Sequence, residues 1–387
     1  MYRPLITLAA GMFALGTDTF VTAGILGPVA ASLGTTVPAA GQMVTLYALS
    51  YALLSPVMAA TTAHWPRRRL LLAGLAVFTL GNLLTATGTS LAVVLASRVL
   101  AGLGAAMYSP TATAVAASLV PPQQRGRALA IVAAGLSGAT ALGAPLGTAL
   151  SGLGGWRVTM GFVTIVGVLA ALFIWRFMPH VPQLPAASLR QRLAPLRDAR
   201  VLPVLLTSLA AYSGFFAVYT YVAPVFAHAT GGSANALAVL LMTWGVFGVL
   251  ANFGSGLLSD RFGTRATING ALALGALNFL LLPWSTASFA TAAVAMAVWS
   301  LCGWGLLVAQ QHRLIGVAPG AAPVLLGLNA AALYTGVSTA GIVGGAAMNW
   351  AGAPAVGEVG ALFVAAALPI AEWAASRIAS RRLAAAG

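Results

Sequence analysis

The stretch Phe13–Ala30, FALGTDTFVTAGILGPVA, lies inside a run of apolar and small residues from Leu5 to Leu33 and contains one carboxylate, Asp18. About 20 helical residues cross a hydrocarbon layer of ~30 Å. The run therefore predicts a retained membrane-spanning helix with Asp18 near mid-depth. An aspartate there costs roughly 2.5–3.5 kcal/mol on insertion scales. Such residues normally face a protein interior or a water-filled cavity, and they mark an ion or substrate path.

The composition is that of an integral membrane protein built from helices. Of 387 residues, 60% are hydrophobic and 6% are charged, whereas soluble chains are about 25% charged. The net charge is +14, and all 19 cations are arginines. The arginines fall between apolar runs, which favours membrane topology over nucleic-acid binding. The single cysteine, Cys302, excludes an internal disulfide and a cysteine-based metal cage.

Hydropathy predicts twelve spans, near 5–33, 41–63, 70–89, 91–120, 128–151, 159–178, 201–227, 236–258, 267–285, 290–316, 324–349 and 357–378. Arginines collect at alternate ends of these spans; only Arg157 falls in a loop on the other side, and Arg98 lies within a span. The positive-inside rule then places both termini in the cytoplasm. The predicted division is a six-helix bundle over 1–178, a cytoplasmic linker over 179–200 and a second six-helix bundle over 201–387.

Glycine pairs recur at an offset close to half the chain length. The matched pairs are Gly102 and Gly104 with Gly303 and Gly305, and Gly143 and Gly147 with Gly341 and Gly345. An offset of six spans preserves orientation, so the halves are predicted to be parallel repeats with a substrate site between them.

At this point the chain resembles the major facilitator superfamily, and within it the twelve-span drug:proton antiporters of the chloramphenicol-resistance and arabinose-efflux-like branch. The stretches that carry the resemblance are GTDTFVTAG around Asp18, WPRRR at 65–69, ASRVLAGLGAA at 96–106, LGAPLG at 142–147, GWR at 155–157 and SGLLSDRFGTR at 255–265. The resemblance implies an all-α membrane protein of two pseudo-symmetric six-helix bundles.

The stretch 255–265 resembles the superfamily's signature loop, G-x-x-x-D-R-x-G-x-R. Its members here are Gly256, Asp260, Arg261, Gly263 and Arg265. The resemblance implies a gate latch on the cytoplasmic side that stabilises the outward-facing state; an ordinary charged loop is the alternative. The first-half copy has Ala63 and His64 where an acid and an arginine are expected.

Two further motifs have implied roles. Arg98 is implied to act with the first span in proton coupling, paired with Asp18 directly or through water. Their depths differ by roughly 10 Å at 1.5 Å per residue, which favours water or a moving contact. Snorkelling of Arg98 to the outer interface is the alternative. Gly143, Pro145 and Gly147 resemble an antiporter motif; close packing of small residues explains them equally well.

A substrate cavity is predicted from mid-span polar and aromatic residues. Four residues of the seventh span share a helical face, a pattern that is more often core or lipid-facing. The predicted cavity residues are Gln42, Tyr47, Tyr51, Tyr212, Phe215, Phe216, Tyr219, Trp299, Gln310, Asn329 and Tyr334. Thr45 and Trp304 are further mid-span candidates, and Tyr221 is a fifth aromatic of the seventh span.

The function predicted from these features is a proton-coupled exporter of small amphipathic molecules, in which substrate and proton compete for one cavity. Alternatives are a sugar or nucleoside exporter, an uncoupled facilitator and a non-transporting membrane sensor. Glu372 is the second candidate for the proton site. We expect no enzyme activity, no metal and no cofactor beyond the coupling proton. The expected partners are a small molecule and the bilayer, with no nucleic acid, for a monomer in a bacterial inner membrane.

Overall fold

The computed structural model describes residues 2–179, 181 and 188–386, with side chains omitted at 122 and 381–386. The predicted linker 179–200 therefore lies partly outside the described residues. The long helices are α1 (Tyr2–Ser32), α2 (Val37–Thr61), α3 (Arg67–Thr87), α4 (Leu91–Ser118), α5 (Arg125–Gly154), α6 (Trp156–Phe177), α7 (Val201–Thr220), α8 (234–262), α9 (264–280), α10 (Phe289–Val317), α11 (Ala322–Ala351) and α12 (Ala353–Ala386).

The boundary between α8 and α9 is a backbone break inside a continuous helical run. Eleven helices of the described chain are long and apolar enough to cross a membrane. One of them, Ala234–Leu280, has 47 residues, or about 70 Å of helix, more than twice the hydrocarbon thickness. Gly263 has φ 81° and ψ 155°, a conformation that essentially only glycine adopts. The break supplies the twelfth span, as predicted from hydropathy.

Local sequence signals explain where other helices begin and end. Ser90 and Ser288 accept hydrogen bonds from backbone N–H groups three residues on, and so cap α4 and α10. Gly155 and Gly352, each with φ 79°, separate α5 from α6 and α11 from α12. The seventh span was predicted to reach residue 227, but α7 ends at Thr220. Pro224 has no N–H to donate to the Thr220 carbonyl, so the helix cannot continue regularly.

The same helix pairs pack in both halves of the chain. The pairs α1–α5, α1–α6 and α3–α6 recur as α7–α11, α7–α12 and α9–α12. The pair α2–α4 recurs as α8–α10, where Ser255 donates to the Gly305 carbonyl. The repeated pairing fits the internal repeat predicted from glycine spacing.

The two halves meet along α2–α11 and α5–α8. A Cβ added at Gly341 would lie 2.1 Å from Thr45 Oγ1, and one at Gly245 would lie 2.2 Å from the Thr140 carbonyl oxygen. Gly256 lies three turns further along the same face of α8, and a Cβ there would meet nothing within 4 Å. The halves therefore touch from mid-depth to the end that carries Gly155 and Gly352. They part towards the other end, which we call the arginine-rich end because it carries Arg67–Arg69 and Arg261–Arg265.

The described part of the linker is short and ordered. It forms the helical turns Leu189–Leu193 and Ala194–Arg197. Asp198 then pairs with Arg200, with 2.7 Å between Oδ2 and Nη2. The hydrogen bond to Asp198 raises the pKa of Arg200. The predicted domain division itself stays a prediction.

Candidate functional site: a buried ion pair beside an aromatic cavity

Asp18 and Arg98 form a direct, two-pronged ion pair in the interior of the first half. Arg98 Nη1 lies 2.8 Å from Asp18 Oδ1, and Nη2 lies 3.1 Å from Oδ2. Asn82 of α3 accepts from Arg98 Nη1 at 3.0 Å and donates to Asp18 at 3.4 Å. Asp18 is 0% exposed and Arg98 is 1% exposed. The three polar side chains come from α1, α3 and α4, within one bundle.

This contact corrects two expectations about Arg98. Backbone rise alone leaves out the length of the arginine side chain, which reaches Asp18 directly, so neither water nor a moving contact is needed to join the two residues. Snorkelling of Arg98 to the outer interface is wrong as well, because its guanidinium is buried and forms an ion pair with the Asp18 carboxylate. A buried pair of this kind is costly to break, since removal of one partner leaves an uncompensated charge.

Tyr47 connects the ion pair to the space between the halves. Arg98 Cζ lies 4.8 Å from the centre of the Tyr47 ring, within the range of a cation–π contact. Thr19 Oγ1 donates to the Tyr47 hydroxyl at 3.2 Å. Thr19 follows Asp18 on α1 but faces the neighbouring cavity. The charge of the pair and the cavity wall are thus linked through two side chains.

A cavity of about 80 Å³ lies between the halves at this level. Six of the predicted cavity residues line it: Tyr212, Phe215, Phe216, Tyr219, Trp299 and Tyr334. Trp304 lines it too, as do Thr19, Phe20, Leu136, Trp244, Gly303, Leu307, Leu333 and Val337. The volume is below the roughly 300 Å³ at which ordinary ligand pockets begin, so a drug-sized molecule requires the walls to move.

The cavity wall is mainly aromatic and its tyrosine hydroxyls are largely occupied. Phe20 of the first half inserts among second-half rings, with its centroid 5.7 Å from those of Tyr219 and Trp244. Tyr219 donates to the Phe20 carbonyl at 3.1 Å, and Tyr212 donates to the Gly303 carbonyl at 3.0 Å. None of the lining residues is an acid, an arginine or a histidine. The surface offered to a ligand is therefore uncharged and predominantly apolar.

Five predicted cavity residues lie outside this lining. Gln42 donates to the Pro38 and Gly341 carbonyls, and Gln310 donates to the Val204 carbonyl. Asn329 accepts from Ser208 at 2.7 Å. These amides form hydrogen bonds to groups on nearby helices and so do not point into the cavity. Tyr51 stacks behind Tyr334 with centroids 4.0 Å apart, and Tyr47 lies against Arg98.

Asp18 also lies outside the cavity lining, so the expectation that substrate and proton share one cavity is not met in this structure. Sequence reasoning had passed over Thr19, Phe20, Trp244 and Asn82. Three of them had a usable signal. Thr19 and Phe20 lie about 100° and 200° around the helix axis from Asp18, and both face the other half. Asn82 is a lone amide in an apolar span.

The predicted antiporter motif lies where α5 contacts α1. Residues Ala139–Gly143 form one π-helical turn, which precedes Pro145 and accommodates its missing N–H. A Cβ at Gly143 would lie 2.1 Å from Thr17 Oγ1, and one at Gly147 would lie 2.5 Å from Val21. Small residues at these two positions let α1 and α5 pack closely. A dedicated antiport role for the motif stays a prediction.

The predicted gate loop lies at the arginine-rich end. Gly263 makes the break between α8 and α9, while Asp260 and Arg261 are exposed. Arg265 pairs with Glu372 of α12, with 2.9 Å between Nε and Oε1. The Glu372 side chain is 39% exposed and lies beside the start of α9, so the second candidate proton site is at the arginine-rich end rather than at mid-depth.

The chain is similar in sequence to known membrane transport proteins. The sequence profile of the Major Facilitator Superfamily matches residues 8–344. The inner membrane transport protein YdhP of Escherichia coli K12 is 30% identical over 346 residues, 89% of each chain. A chloramphenicol resistance protein of Streptomyces lividans is 34% identical over 265 residues, 67% of this chain and 68% of that one.

A solved structure shares the fold at low sequence identity. The crystal structure of a point mutant of the nucleoside transporter NupG matches with a TM-score of 0.77 at 12% identity, covering 97% of this chain and 98% of that one. The twelve spans, the paired halves and the profile match over most of the chain lead to one assignment. This chain is a multi-pass membrane protein that belongs to the Major Facilitator Superfamily of transporters.

Proposed function

We propose that the protein is a proton-coupled exporter of small amphipathic, drug-like molecules, and that it works as a monomer by alternating access. The observation that carries the proposal is the buried Asp18–Arg98 pair, in which Asp18 directly precedes Thr19 of the cavity wall. The positive-inside rule supports a cytoplasmic location for both termini and for the arginine-rich end. The inner membrane location of the YdhP relative supports a bacterial cytoplasmic membrane.

The coupling step follows from the contacts of the pair. Protonation of Asp18 removes the charge that holds Arg98, and a buried guanidinium without its partner has to find another environment. Thr19 and Phe20 follow Asp18 on α1 and line the cavity, while Tyr47 contacts both Arg98 and Thr19. A change of charge at Asp18 would therefore alter the cavity wall without proton and substrate sharing a site.

The chemistry of the cavity favours drug-like molecules over sugars or nucleosides. Flat aromatic walls suit apolar rings, whereas hydroxylated ligands need free hydrogen-bonding groups. Two of the three lining tyrosines already donate to backbone carbonyls. The indole N–H of Trp244 has no partner in the described part of the chain and is available as a donor. The name of the Streptomyces relative makes chloramphenicol the first compound to test.

The open end supports loading from the cytoplasm. The halves part at the arginine-rich end and close at the other, which would give an inward-open carrier. Asp260 is exposed and takes part in none of the ion pairs found in the described chain. That arrangement fits a latch that engages only when this end closes, as expected for a loop that stabilises the outward-facing state.

The test uses purified protein in proteoliposomes with an imposed pH gradient and radiolabelled chloramphenicol. We expect gradient-driven transport by the wild type, and at least a tenfold lower rate for Asp18→Asn. Glu358→Gln is the matched control, because Glu358 is an exposed carboxylate at the far end of α12. A thermal shift with chloramphenicol in Asp18→Asn checks that the cavity still binds.

Three results would contradict the proposal in different ways. Gradient-driven transport by Asp18→Asn at the wild-type rate would remove Asp18 as the coupling site. Wild-type transport that ignores the gradient would indicate a facilitator. Uridine or glucose transport in the same vesicles, with none of chloramphenicol or other amphipathic drugs, would establish the sugar or nucleoside alternative.

A further inference from the structure

The first half carries an arginine cluster that lacks the acid found at the matching place in the second half. In the second half, Arg265 pairs with Glu372. Arg68 and Trp175 stand 197 positions before these two residues, and Arg68 donates to the Trp175 backbone carbonyl instead. The cationic end of α3 and α6 thus keeps its charge where the second half neutralises it.

The arginines of this cluster have no ion pair in the described chain. The cluster consists of Arg68, Arg69 and Arg176, and none of them takes part in the three ion pairs of residues 2–179, 181 and 188–386. Arg69 and Arg176 are exposed, and Arg176 lies over the Phe177 ring. The buried Nε of Arg68 has no hydrogen-bond partner in the described chain. Three cations therefore face the membrane boundary without a counter-charge.

A groove of about 450 Å³ begins directly beside this cluster and runs along the outer face of α3 and α6. Its walls are apolar apart from Thr79: Leu72, Ala76, Thr79, Leu80, Leu83, Val168, Ala171, Leu172 and Trp175. On α3, Arg69 continues the face of Leu72, Ala76 and Leu83 at helical spacing. From Leu72 to Leu83 the groove spans about 16 Å of helix, most of the depth of one leaflet.

We propose that this groove and its arginines bind one anionic phospholipid, with an acyl chain along α3 and α6 and the phosphate beside Arg69 and Arg176. The groove is apolar along its depth and cationic at its mouth, which matches the two ends of such a lipid. Each arginine near an anionic headgroup contributes about 1 kcal/mol. Trp175 lies at the junction, and an amphipathic indole suits the headgroup level.

The second half offers a matched comparison that should bind no such lipid. The residue that corresponds to Leu72 is Asn269, which donates to Glu372. The Glu372 carboxylate repels an anionic headgroup, and the polar Asn269 side chain interrupts the apolar wall. The site is therefore expected once per chain, in the first half only.

The test measures lipid retention by native mass spectrometry on the full-length protein in detergent, with palmitoyl-oleoyl phosphatidylglycerol as the probe. We expect one tightly held lipid on the wild type and roughly thirty-fold weaker binding by Arg69→Gln/Arg176→Gln, for two arginines at about 1 kcal/mol each. The control, Arg197→Gln/Arg377→Gln, removes two exposed arginines elsewhere and should bind as the wild type does.

A second variant tests the groove without altering charge. Ala76→Phe fills the groove from an exposed position and should lower retention at least tenfold, whereas Ala273→Phe, at the corresponding exposed place in the second half, should not. Equal retention of phosphatidylcholine, or wild-type retention of phosphatidylglycerol by Ala76→Phe or by Arg69→Gln/Arg176→Gln, would overturn the proposal. Displacement by millimolar inorganic phosphate would indicate a free-phosphate site instead. A dimer that Ala76→Phe dissociates would make the groove an interface between copies.

Discussion

Asp18 and Arg98 stabilise the first half only as a pair. Each is buried, and two charge-assisted hydrogen bonds join them, while Arg98 Nε has no hydrogen-bond partner in the described chain. Asn82 provides one further acceptor for Arg98, but an amide carries no compensating charge. Removal of the carboxylate alone should therefore cost far more than removal of both charges together, since it strands the guanidinium in an apolar bundle.

Asp18→Asn is predicted to lower the free energy of unfolding by about 3–5 kcal/mol. Asp18→Asn/Arg98→Met should recover most of that loss, because the unpaired charge is gone and an unbranched apolar side chain fills the space. Chemical denaturation in detergent micelles, followed by tryptophan fluorescence, measures both values. Glu358→Gln, an exposed change of the same type, should stay within about 0.5 kcal/mol of the wild type. An Asp18→Asn protein as stable as the wild type would contradict the energetic role given to the pair.

The residues of the site were only partly predictable from sequence. Asp18 stood out because no other acid lies deep in the first half, and Arg98 because a cation interrupts its span. Gln42, Gln310 and Asn329 stood out because each is a polar residue within an apolar span. Their amides, however, form hydrogen bonds to groups on neighbouring helices. Polarity within a span identifies a buried hydrogen-bonding group without saying which partner it meets. That choice depends on helix rotation, which hydropathy does not fix.

At the scale of helices, closure of one end depends on backbone contact between α5 and α8. A Cβ added at Gly245 would lie 2.2 Å from the Thr140 carbonyl oxygen, in the π-helical turn of α5. Because both groups belong to the backbone, neither can move away without moving its helix. A larger side chain at Gly245 should force the two helices apart. Gly254, on the opposite face of α8, has open space around it and offers a control on the same helix.

Gly245→Leu is predicted to separate α5 and α8 at the end away from the arginines. Spin labels attached after Leu153→Cys and Asn235→Cys, in a Cys302→Ser background, report the distance across that end by double electron–electron resonance. Both labelled positions are exposed. We expect a shift to longer distances by several ångströms for Gly245→Leu and none for Gly254→Leu. An unchanged distance with Gly245→Leu would mean that this contact does not control closure.

Hydropathy predicted the helices well because a membrane forces every span to be apolar, continuous and about 20 residues long. Gly263 and the arginines beside it located the break between α8 and α9. The end of α7 at Thr220 and the π-helical turn in α5 were not predicted. Both depend on how a proline is accommodated by its neighbours, and the same sequence could have kinked or ended there.

For the whole molecule, the contacts between the halves place a strong condition on transport. In the described chain the contacts between the halves run from mid-depth to the closed end, and the cavity of about 80 Å³ lies between the halves. Export by alternating access requires the closed end to part while the arginine-rich end closes. A covalent link across the closed end should therefore stop the cycle without disturbing either bundle.

Pro38→Cys/Gly345→Cys should form that link. A Cβ at Gly345 would lie 3.4 Å from the Pro38 Cβ, close to the separation in natural disulfides. In a Cys302→Ser background, oxidation is predicted to lower gradient-driven chloramphenicol efflux at least tenfold, and dithiothreitol should restore it. Ser255→Cys/Gly305→Cys has a comparable separation of 3.7 Å within the second half, so its oxidation should leave the rate unchanged. Full efflux by the oxidised cross-half variant would show that the two halves need not part at this end, and rocking would be wrong.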